Sequence, residues 1–206
     1  AASGGGRGAT RFRGGIAAIG AAPPGASLRG LRHHRPVEGT LRRLATATVT
    51  DGPPDHRWQA GAHALFALAR LDTASAAGLL SRFAGSERWE VRQYAARAAG
   101  VIGARPLLLR FAADSDHNVE EAAIAGLAAA AGHDADSVYL RALGSSGHQV
   151  ALAASEALKG TTHPGALSVL LDDFDRLSAG RSENAKDPRV SMLQRIGELG
   201  SADVAP

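Results

Sequence analysis

The sequence predicts an all-α fold, an α-solenoid of about four to five degenerate helix pairs that follows a disordered N-terminal leader. The first observation is an internal repeat, in which an anchor residue is followed by a compact residue at the fourth position and an apolar or small residue at the seventh. The anchors are Arg57, Val91, Val119, Val150 and Arg189; the fourth positions hold Gly61, Ala95, Ala123, Ala154 and Leu193; the seventh hold Ala64, Ala98, Gly126, Ala157 and Ile196. The second is a 4% aromatic content, which suits closely spaced helix layers. Such repeats stack, because only a neighbour can cover each apolar face.

The first part of the chain has a different character. Residues 1–36 contain nine Gly and six Arg without helical or alternating periodicity, so we expect a disordered leader. The same bias over residues 1–56 also fits GC-rich DNA read in a wrong frame or from a wrong start. A helical repeat domain then spans residues 37–206. Its first helix is predicted from Val37, Leu41, Leu44 and Thr48, and it ends at the breaker 51–54 as the second half of a truncated repeat.

Helix pairs are predicted along the rest of the domain. The predicted helices cover residues 57–71, 73–84, 89–102, 106–112, 118–131, 135–143, 149–159, 166–177 and 187–200, with a loop insertion at 178–186. Asn118 with Glu121 predicts a capping box, and Asp134 is predicted to cap the helix that follows it. In the helix 166–177 the predicted buried stripe consists of Leu167, Leu170, Leu171, Phe174 and Leu177. We expect a fragment of a longer array, since the last predicted helix has no partner after it.

Charge and composition restrict the function classes. The net charge is +3, and the basic residues are 21 Arg but only two Lys, a bias that indicates GC-rich bacterial coding. The absence of Cys excludes disulfides, thiol catalysis and Cys-ligated zinc. No apolar run approaches the roughly 20 residues of a membrane span, so we expect no membrane partner. A Cys-free chain suits cytoplasm and periplasm alike, and we slightly favour the cytoplasm.

Residues 91–103, VRQYAARAAGVIG, resemble a HEAT repeat of the short bacterial, phycobilin-lyase-like type, an armadillo-like helical family. The resemblance continues through 118–131 and 149–159, is weaker at 57–71 and 187–200, and spans about four-fifths of the chain. In that family the Val and paired Ala fill the seam between helices, and the Arg after the Val often meets an acidic residue of the adjoining turn. Here Arg92 stands in that place, with Glu87 or Asp116 as expected partners, whereas Glu120 and Ala151 occupy the equivalent positions.

The resemblance implies a noncatalytic scaffold for protein–protein interaction, because HEAT arrays are mostly interaction surfaces. One alternative is a regulatory or substrate-presenting region of a larger enzyme, such as a cyclophilin-type peptidyl-prolyl isomerase, whose catalytic domain would lie in other sequence. A second alternative is nucleic-acid binding through a groove of Trp and Arg side chains. The residues present predict no enzymatic activity and no cofactor in this chain.

The candidate binding patch combines two tryptophans with three arginines near the starts of successive repeats: Arg57, Trp58, Arg88, Trp89 and Arg92. Trp and Arg dominate interaction hot spots, and the same residue types stack on bases and bind phosphates. The alternative is that each Trp covers the seam between neighbouring repeats.

Two further clusters invite a metal or ligand interpretation. His133 and Asp134, with His117 and Asp172, offer the ligand types of a metal phosphohydrolase, but Asp134 lies between predicted helices, where a cap is expected instead of a metal ligand. No His-Glu dipeptide is present, which excludes the ligand pattern of HEAT-fold metal hydroxylases. The acidic cluster of Asp172, Asp173 and Asp175 shares a helix with Arg176, and we expect a solvated face there.

Overall fold

The computed structural model of the protein describes residues 35–50, 58–180 and 182–202, and this part of the chain is all-α, without a β-strand. Its helices are α1 (Arg35–Thr50), α2 (Trp58–Leu71), α3 (Thr73–Ala84), α4 (Trp89–Ile102), α5 (Arg105–Phe111), α6 (His117–Ala131), α7 (Asp136–Leu143), α8 (His148–Ala157), α9 (Ala166–Ala179) and α10 (Lys186–Ala202). The predicted leader lies outside the described residues, apart from residues 35 and 36, which belong to α1. The predicted breaker at 51–54 also lies outside them.

The predicted boundaries of α3 and α4 match those of the structure, and most others differ by one or two residues. The predicted insertion at 178–186 is shorter than expected, because α9 continues to Ala179 and a 3₁₀ turn, Glu183–Ala185, leads directly into α10. This turn carries the chain into α10 one residue before the predicted start at Asp187.

Two cap predictions are wrong. The cap of α6 is Asp116, whose Oδ1 accepts from the Asn118 backbone N–H at 2.9 Å, so Asn118 lies inside the helix. A carboxylate interacts more favourably than an amide with the partial positive charge of a helix N-terminus. Asp134 belongs to a 3₁₀ turn, Gly132–Ala135, and its carboxylate lies 3.3 Å from Arg105 Nη1.

The leading helices, defined as α2, α4, α6, α8 and α10, open the predicted units and contact one another in chain order. The trailing helices α3, α5, α7 and α9 lie beside them; α3 contacts both α2 and α4, and α5 contacts both α4 and α6. The repeat positions are buried as predicted in the central helices: Val91, Ala95 and Ala98 in α4; Val119, Ala123 and Gly126 in α6; Val150 and Ala154 in α8. Small residues at these contacts let the helix axes approach closely.

The predicted register of α10 is wrong by one residue. Leu193, predicted at the buried fourth position, is 50% exposed, whereas Met192 is fully buried and Arg195 is only 7% exposed. The anchor of α10 is therefore the buried Pro188, with Met192 at the fourth position and Arg195 at the seventh. The buried Ser191 hydroxyl donates to Ser155 Oγ of α8 at 2.8 Å, which fixes this rotation of α10.

Two other apolar stripes are only partly buried. In α1, Val37 and Leu44 are exposed, and Leu41 and Ala45 form the side that packs on the core. In α9, Leu171 is exposed although Leu170 and Leu177 are buried. Within the described ranges, no helix combines the length and apolar character that membrane crossing requires.

Candidate interaction surface

The predicted patch lies at the N-terminal ends of two neighbouring leading helices. Trp58 opens α2, Trp89 opens α4, Arg88 is the residue before α4, and Arg92 lies in the first turn of α4. Arg57 lies outside the described residues. The structure brings Trp58 and Arg88 together, with the guanidinium carbon 5.9 Å from the ring centroid, within the range of a cation–π contact.

The two tryptophans have different environments. Trp58 is half-buried and packs against the hydrophobic core, whereas Trp89 is 38% exposed. Arg88 lies over Trp58, and its Nε is buried without a hydrogen-bond partner in the described part of the chain. Trp58 thus covers the junction between α2 and the start of α4, and Trp89 is the ring that solvent or a partner reaches.

Arg92 is held by the turn before α4 and the turn before α6. Its Nε and Nη2 donate to the two carboxylate oxygens of Asp114 at 2.7 and 2.8 Å, and its Nη1 donates to the backbone carbonyls of Ser86 and Glu87 at 2.9 and 3.0 Å. The predicted partners, the carboxylates of Glu87 and Asp116, are therefore wrong, because Asp114 is in bidentate reach from the turn before α6. All three guanidinium nitrogens are engaged, so Arg92 acts as a structural clamp between turns.

The electrostatics of this clamp stabilise both charges. Burial alone raises the pKa of the Asp114 carboxyl, but the hydrogen bonds from Arg92 and from the Asp116 backbone N–H outweigh burial and lower that pKa. The hydrogen bond to Asp114 raises the pKa of Arg92 against the opposing effect of its burial. The pair stays ionised through the neutral range, which favours a fixed geometry at this edge of the helices.

The position after the anchor makes a similar link in the next unit. There Glu120 of α6 replaces Arg92, and its Oε2 accepts from Ser145 Oγ at 3.1 Å in the turn before α8. Glu120 Oε2 also lies 3.2 Å from His117 Nδ1. In the preceding unit Trp58 occupies this position and contacts Arg88. In the units that begin with α2, α4 and α6, this repeat position therefore links the unit to the turn before the next leading helix, with three different chemistries.

The turns that precede α4, α6 and α8 share a local hydrogen bond that stabilises their conformation. In each, a side-chain oxygen accepts from the backbone N–H two residues later: Ser86 from Arg88, Asp114 from Asp116, and Ser145 from Gly147. These Asx- and Ser-type turns place the residues before α4, α6 and α8 in an extended conformation. The turn before Trp89 is consequently held by a hydrogen bond from a backbone N–H to a side chain.

A second aromatic and basic cluster, which was not predicted from the sequence, lies on the exposed face of α2 and α4. Tyr94 Oη lies 3.0 Å from His63 Nε2, and the two rings meet edge to face with centroids 4.6 Å apart. The Arg97 guanidinium carbon lies 5.5 Å from the Tyr94 ring centroid. The repeat register could have indicated this cluster, because His63 and Arg97 both stand six residues after the anchors of their repeats. Tyr94 lies between these two side chains in space.

The His and Asp residues that offer the ligand types of a metal site are not brought together. His117 is the first residue of α6, which is about 22 Å long at 1.5 Å per residue, and His133 lies in the 3₁₀ turn after the other end of that helix. His133 Nδ1 lies 3.0 Å from Asp136, and Asp134 faces Arg105. Among the described residues no three His, Asp or Glu side chains form a group able to hold a metal ion.

The acidic cluster on α9 is also divided. Asp173 accepts from Arg176 Nε at 2.8 Å and is partly buried, whereas Asp172 and Asp175 are exposed. Arg176 also donates through Nη2 to the Leu143 carbonyl at 2.8 Å. Asp173 and Arg176 therefore close the end of α7, and the remaining acids form the solvated face predicted for them.

Two surface grooves lie near α10. One, of about 530 Å³, runs between α8 and α10. The other, of about 380 Å³, lies at the starts of α6 and α8 beside residues 183–187, and Asp187 lines both.

A comparison with protein-family models finds no match to this chain, and a comparison with curated proteins finds none either.

Proposed function

We propose that the chain is a HEAT-like α-solenoid that serves as a noncatalytic scaffold for protein–protein interaction. The observation that carries this proposal is the serial contact of the leading helices, α2 with α4, α4 with α6, α6 with α8 and α8 with α10. A series of this kind buries one face of each pair against its neighbours and leaves an extended surface for a partner. The burial of the small repeat residues in α4, α6 and α8 supports the same architecture.

Trp89 is the proposed anchor for a protein partner. It is the exposed residue among the described members of the candidate patch, and the turns around it are fixed by the Arg92 clamp. A preorganised aromatic side chain binds a partner without a large ordering cost, and such residues concentrate binding energy. The exposed cluster of Tyr94, His63 and Arg97 lies on the same two leading helices and extends the surface.

The nucleic-acid alternative has weaker support. It needs free arginines beside the rings, but both arginines of the patch that the structure describes are engaged: Arg92 is bonded through all three nitrogens, and Arg88 lies over Trp58. The alternative of a region attached to a prolyl isomerase stays a prediction, because no described residue favours it over a free-standing scaffold.

Paired substitutions test the scaffold proposal. In an affinity capture from a bacterial lysate, Trp89→Ala should lose a specific protein and weaken its binding by about 2 kcal/mol, with an unchanged helical circular dichroism spectrum. Trp58→Ala is the matched control, and it should lower the unfolding midpoint because this ring packs on the core. Equal capture by wild type and Trp89→Ala would reject Trp89 as the anchor. Salt-sensitive recovery of nucleic acid in place of protein would favour the alternative.

A further inference from the structure

The groove between α8 and α10 is built around an unusual arginine. Arg195 occupies the seventh repeat position, where the other leading helices have small residues: Ala64, Ala98, Gly126 and Ala157. It is 7% exposed, and its Nη2 donates to Glu198 Oε1 at 2.6 Å. Its Nε is buried without a hydrogen-bond partner in the described residues, and a buried unpaired donor on a charged group is destabilising. An acceptor bound at the guanidinium would reduce that penalty.

The other groove residues define the charge of an occupant. Lys159 and Arg195 supply two positive charges, and Glu156 and Asp187 supply two negative charges. Glu198, beside Arg195, adds a further negative charge. A polyanion such as nucleic acid would meet these three carboxylates, so the groove disfavours it. A ligand that carries one carboxylate and one cationic group complements the mixed charges of the groove.

The two charged ends of the groove are separated along α10. Asp187 and Arg195 are eight residues apart, which corresponds to about 12 Å along a helix. An extended chain covers this distance in three to four residues at about 3.3 Å each. Leu152 and the exposed Val190 line the groove and supply apolar surface for the residues between. The groove has a volume of about 530 Å³, which accommodates a short peptide segment of a few residues.

We propose that the α8–α10 groove binds an extended peptide segment with mixed charge. An acidic side chain of the peptide pairs with Arg195 and Lys159, and a basic side chain about four residues away pairs with Asp187. Apolar atoms between them contact Leu152 and Val190. The inference rests on the proposed scaffold function and names a class of partner for it, at a surface separate from Trp89.

The test uses labelled, end-blocked peptides and fluorescence anisotropy on the full chain. The probes are Glu-Ser-Val-Ser-Lys and its reverse, and the control peptides carry Gln in place of Glu. We expect one of the two charged orders to bind saturably and the Gln form to bind at least tenfold more weakly. Equal binding of the Gln form, competition by oligothymidylate at equal concentration, or no binding of either charged order would overturn the proposal.

Protein variants locate the binding. Arg195→Met should reduce affinity at least tenfold, and Lys159→Ala about threefold, whereas Lys186→Ala should have no effect because Lys186 does not line the groove. The exposed Lys159 keeps the test valid if Arg195→Met folds poorly. The chain has two lysines, so acetylation footprinting by mass spectrometry adds a direct readout: bound peptide should slow modification of Lys159 but not of Lys186. Equal protection would overturn the assignment.

The scaffold proposal and the groove proposal fail separately. Trp89→Ala should leave peptide binding unchanged, since Trp89 and the groove lie on different helices. Absence of peptide binding together with Trp89-dependent capture of a protein would remove the groove proposal alone. Peptide binding without any Trp89-dependent capture would retain the groove and reject the anchor.

Discussion

The contact between α4 and α6 and the contact between α8 and α10 join leading helices in the same way, but their seams differ in character. At the first, Gly100 faces Gly126 so closely that a Cβ on Gly100 would lie 3.0 Å from the Gly126 Cα. At the second, the Ser155–Ser191 hydrogen bond and the Arg195 side chain line an interface beside the 530 Å³ groove. The first seam is closed by backbone contact, and the second stays open and polar.

One repeat position accounts for much of this difference. Gly126 and Arg195 both occupy the seventh position, in α6 and α10, once the α10 register is set by Pro188. A residue without a side chain lets the helix backbones meet, whereas Arg195 places a long cationic side chain beside the seam and lines the groove. The residue at this one position therefore separates a contact between backbones from a contact that lies beside a charged groove.

The two seams also contrast two arginines. Arg92, beside the closed seam, has bonds from all three nitrogens to two turns. Arg195, in the open seam, donates to Glu198 and retains a buried Nε without a partner among the described residues. We infer that Arg92 serves stability and that Arg195 serves binding, and stability measurements on both seams test that division.

The largest expected effect is that of Gly126→Ala. The added Cβ would lie 2.7 Å from Leu108 Cδ2 and 3.2 Å from the Gly100 Cα, and the backbone of α4 cannot give way as a side chain can. We expect a loss of about 3 kcal/mol in the free energy of unfolding, as for an overpacked core. Urea unfolding followed by circular dichroism measures it. A loss below about 0.5 kcal/mol would mean that the seam is not closed by backbone contact.

Arg92→Met should have the next largest effect. It leaves the Asp114 carboxylate, of which 12% is exposed, without its bidentate partner, and we expect a loss of about 2 kcal/mol at pH 7. Arg92→Lys is the matched control, because lysine keeps the charge but cannot form the two parallel hydrogen bonds. It should recover only part of the lost stability. Full recovery by Arg92→Lys would show that charge alone, without the fork geometry, holds the turns.

The loss of stability caused by Arg92→Met should also depend on pH. Because the pKa of Asp114 in the folded state lies below its ordinary value of 3.8, the carboxylate contributes stability above that value and loses it as pH falls through the folded pKa. The stability difference between wild type and Arg92→Met should therefore be constant from pH 7 to about 5 and shrink below pH 3.8. A difference that stays constant to about pH 2.5 would assign the loss to packing of the Arg side chain.

Gly78→Ala tests whether the effect at Gly126 comes from the seam or from helical glycine itself. Gly78 is an exposed residue of α3, and a Cβ added to it would have no atom within 4 Å beyond its own stretch of helix. Alanine there should stabilise the protein by about 0.5–1 kcal/mol, because it favours the helix without a clash. Urea unfolding under the same conditions gives the comparison. Destabilisation by both alanines would contradict the role assigned to the Gly100–Gly126 contact.

The central repeats could be predicted from sequence because one small-residue pattern determines both burial and helix spacing. Val91, Ala95 and Ala98 occupy the buried positions that their spacing predicted. The register of α10 could not be predicted in this way, since Leu193 and Met192 are both apolar and the sequence does not show that Ser191 bonds to Ser155. The buried side of α10 depends on tertiary contacts, which outweigh local hydrophobicity.

The candidate site was predicted less completely than the fold. Trp89 and Arg92 could be found by residue type, but their different roles depend on the Asp114 turn, 22 positions further along the chain from Arg92. The His63–Tyr94–Arg97 cluster and the α8–α10 groove each join two helices from different repeats, so no single stretch of sequence contains them. With the register of α10 corrected, Arg195 stands at the repeat position where the four other leading helices have small residues. This contrast is the sequence signal that was missed.

The smallest expected effect on stability is that of Arg195→Met. Met removes the unpartnered Nε and keeps an unbranched side chain in the seam, and the Glu198 carboxylate it leaves is 43% exposed and can be hydrated. We expect the free energy of unfolding to change by less than about 1 kcal/mol, in contrast to the same substitution at Arg92. A loss of about 2 kcal/mol or more in urea unfolding would make Arg195 a structural residue like Arg92. A neutral change would leave binding as the reason for a buried arginine at a position where four other helices have Ala or Gly.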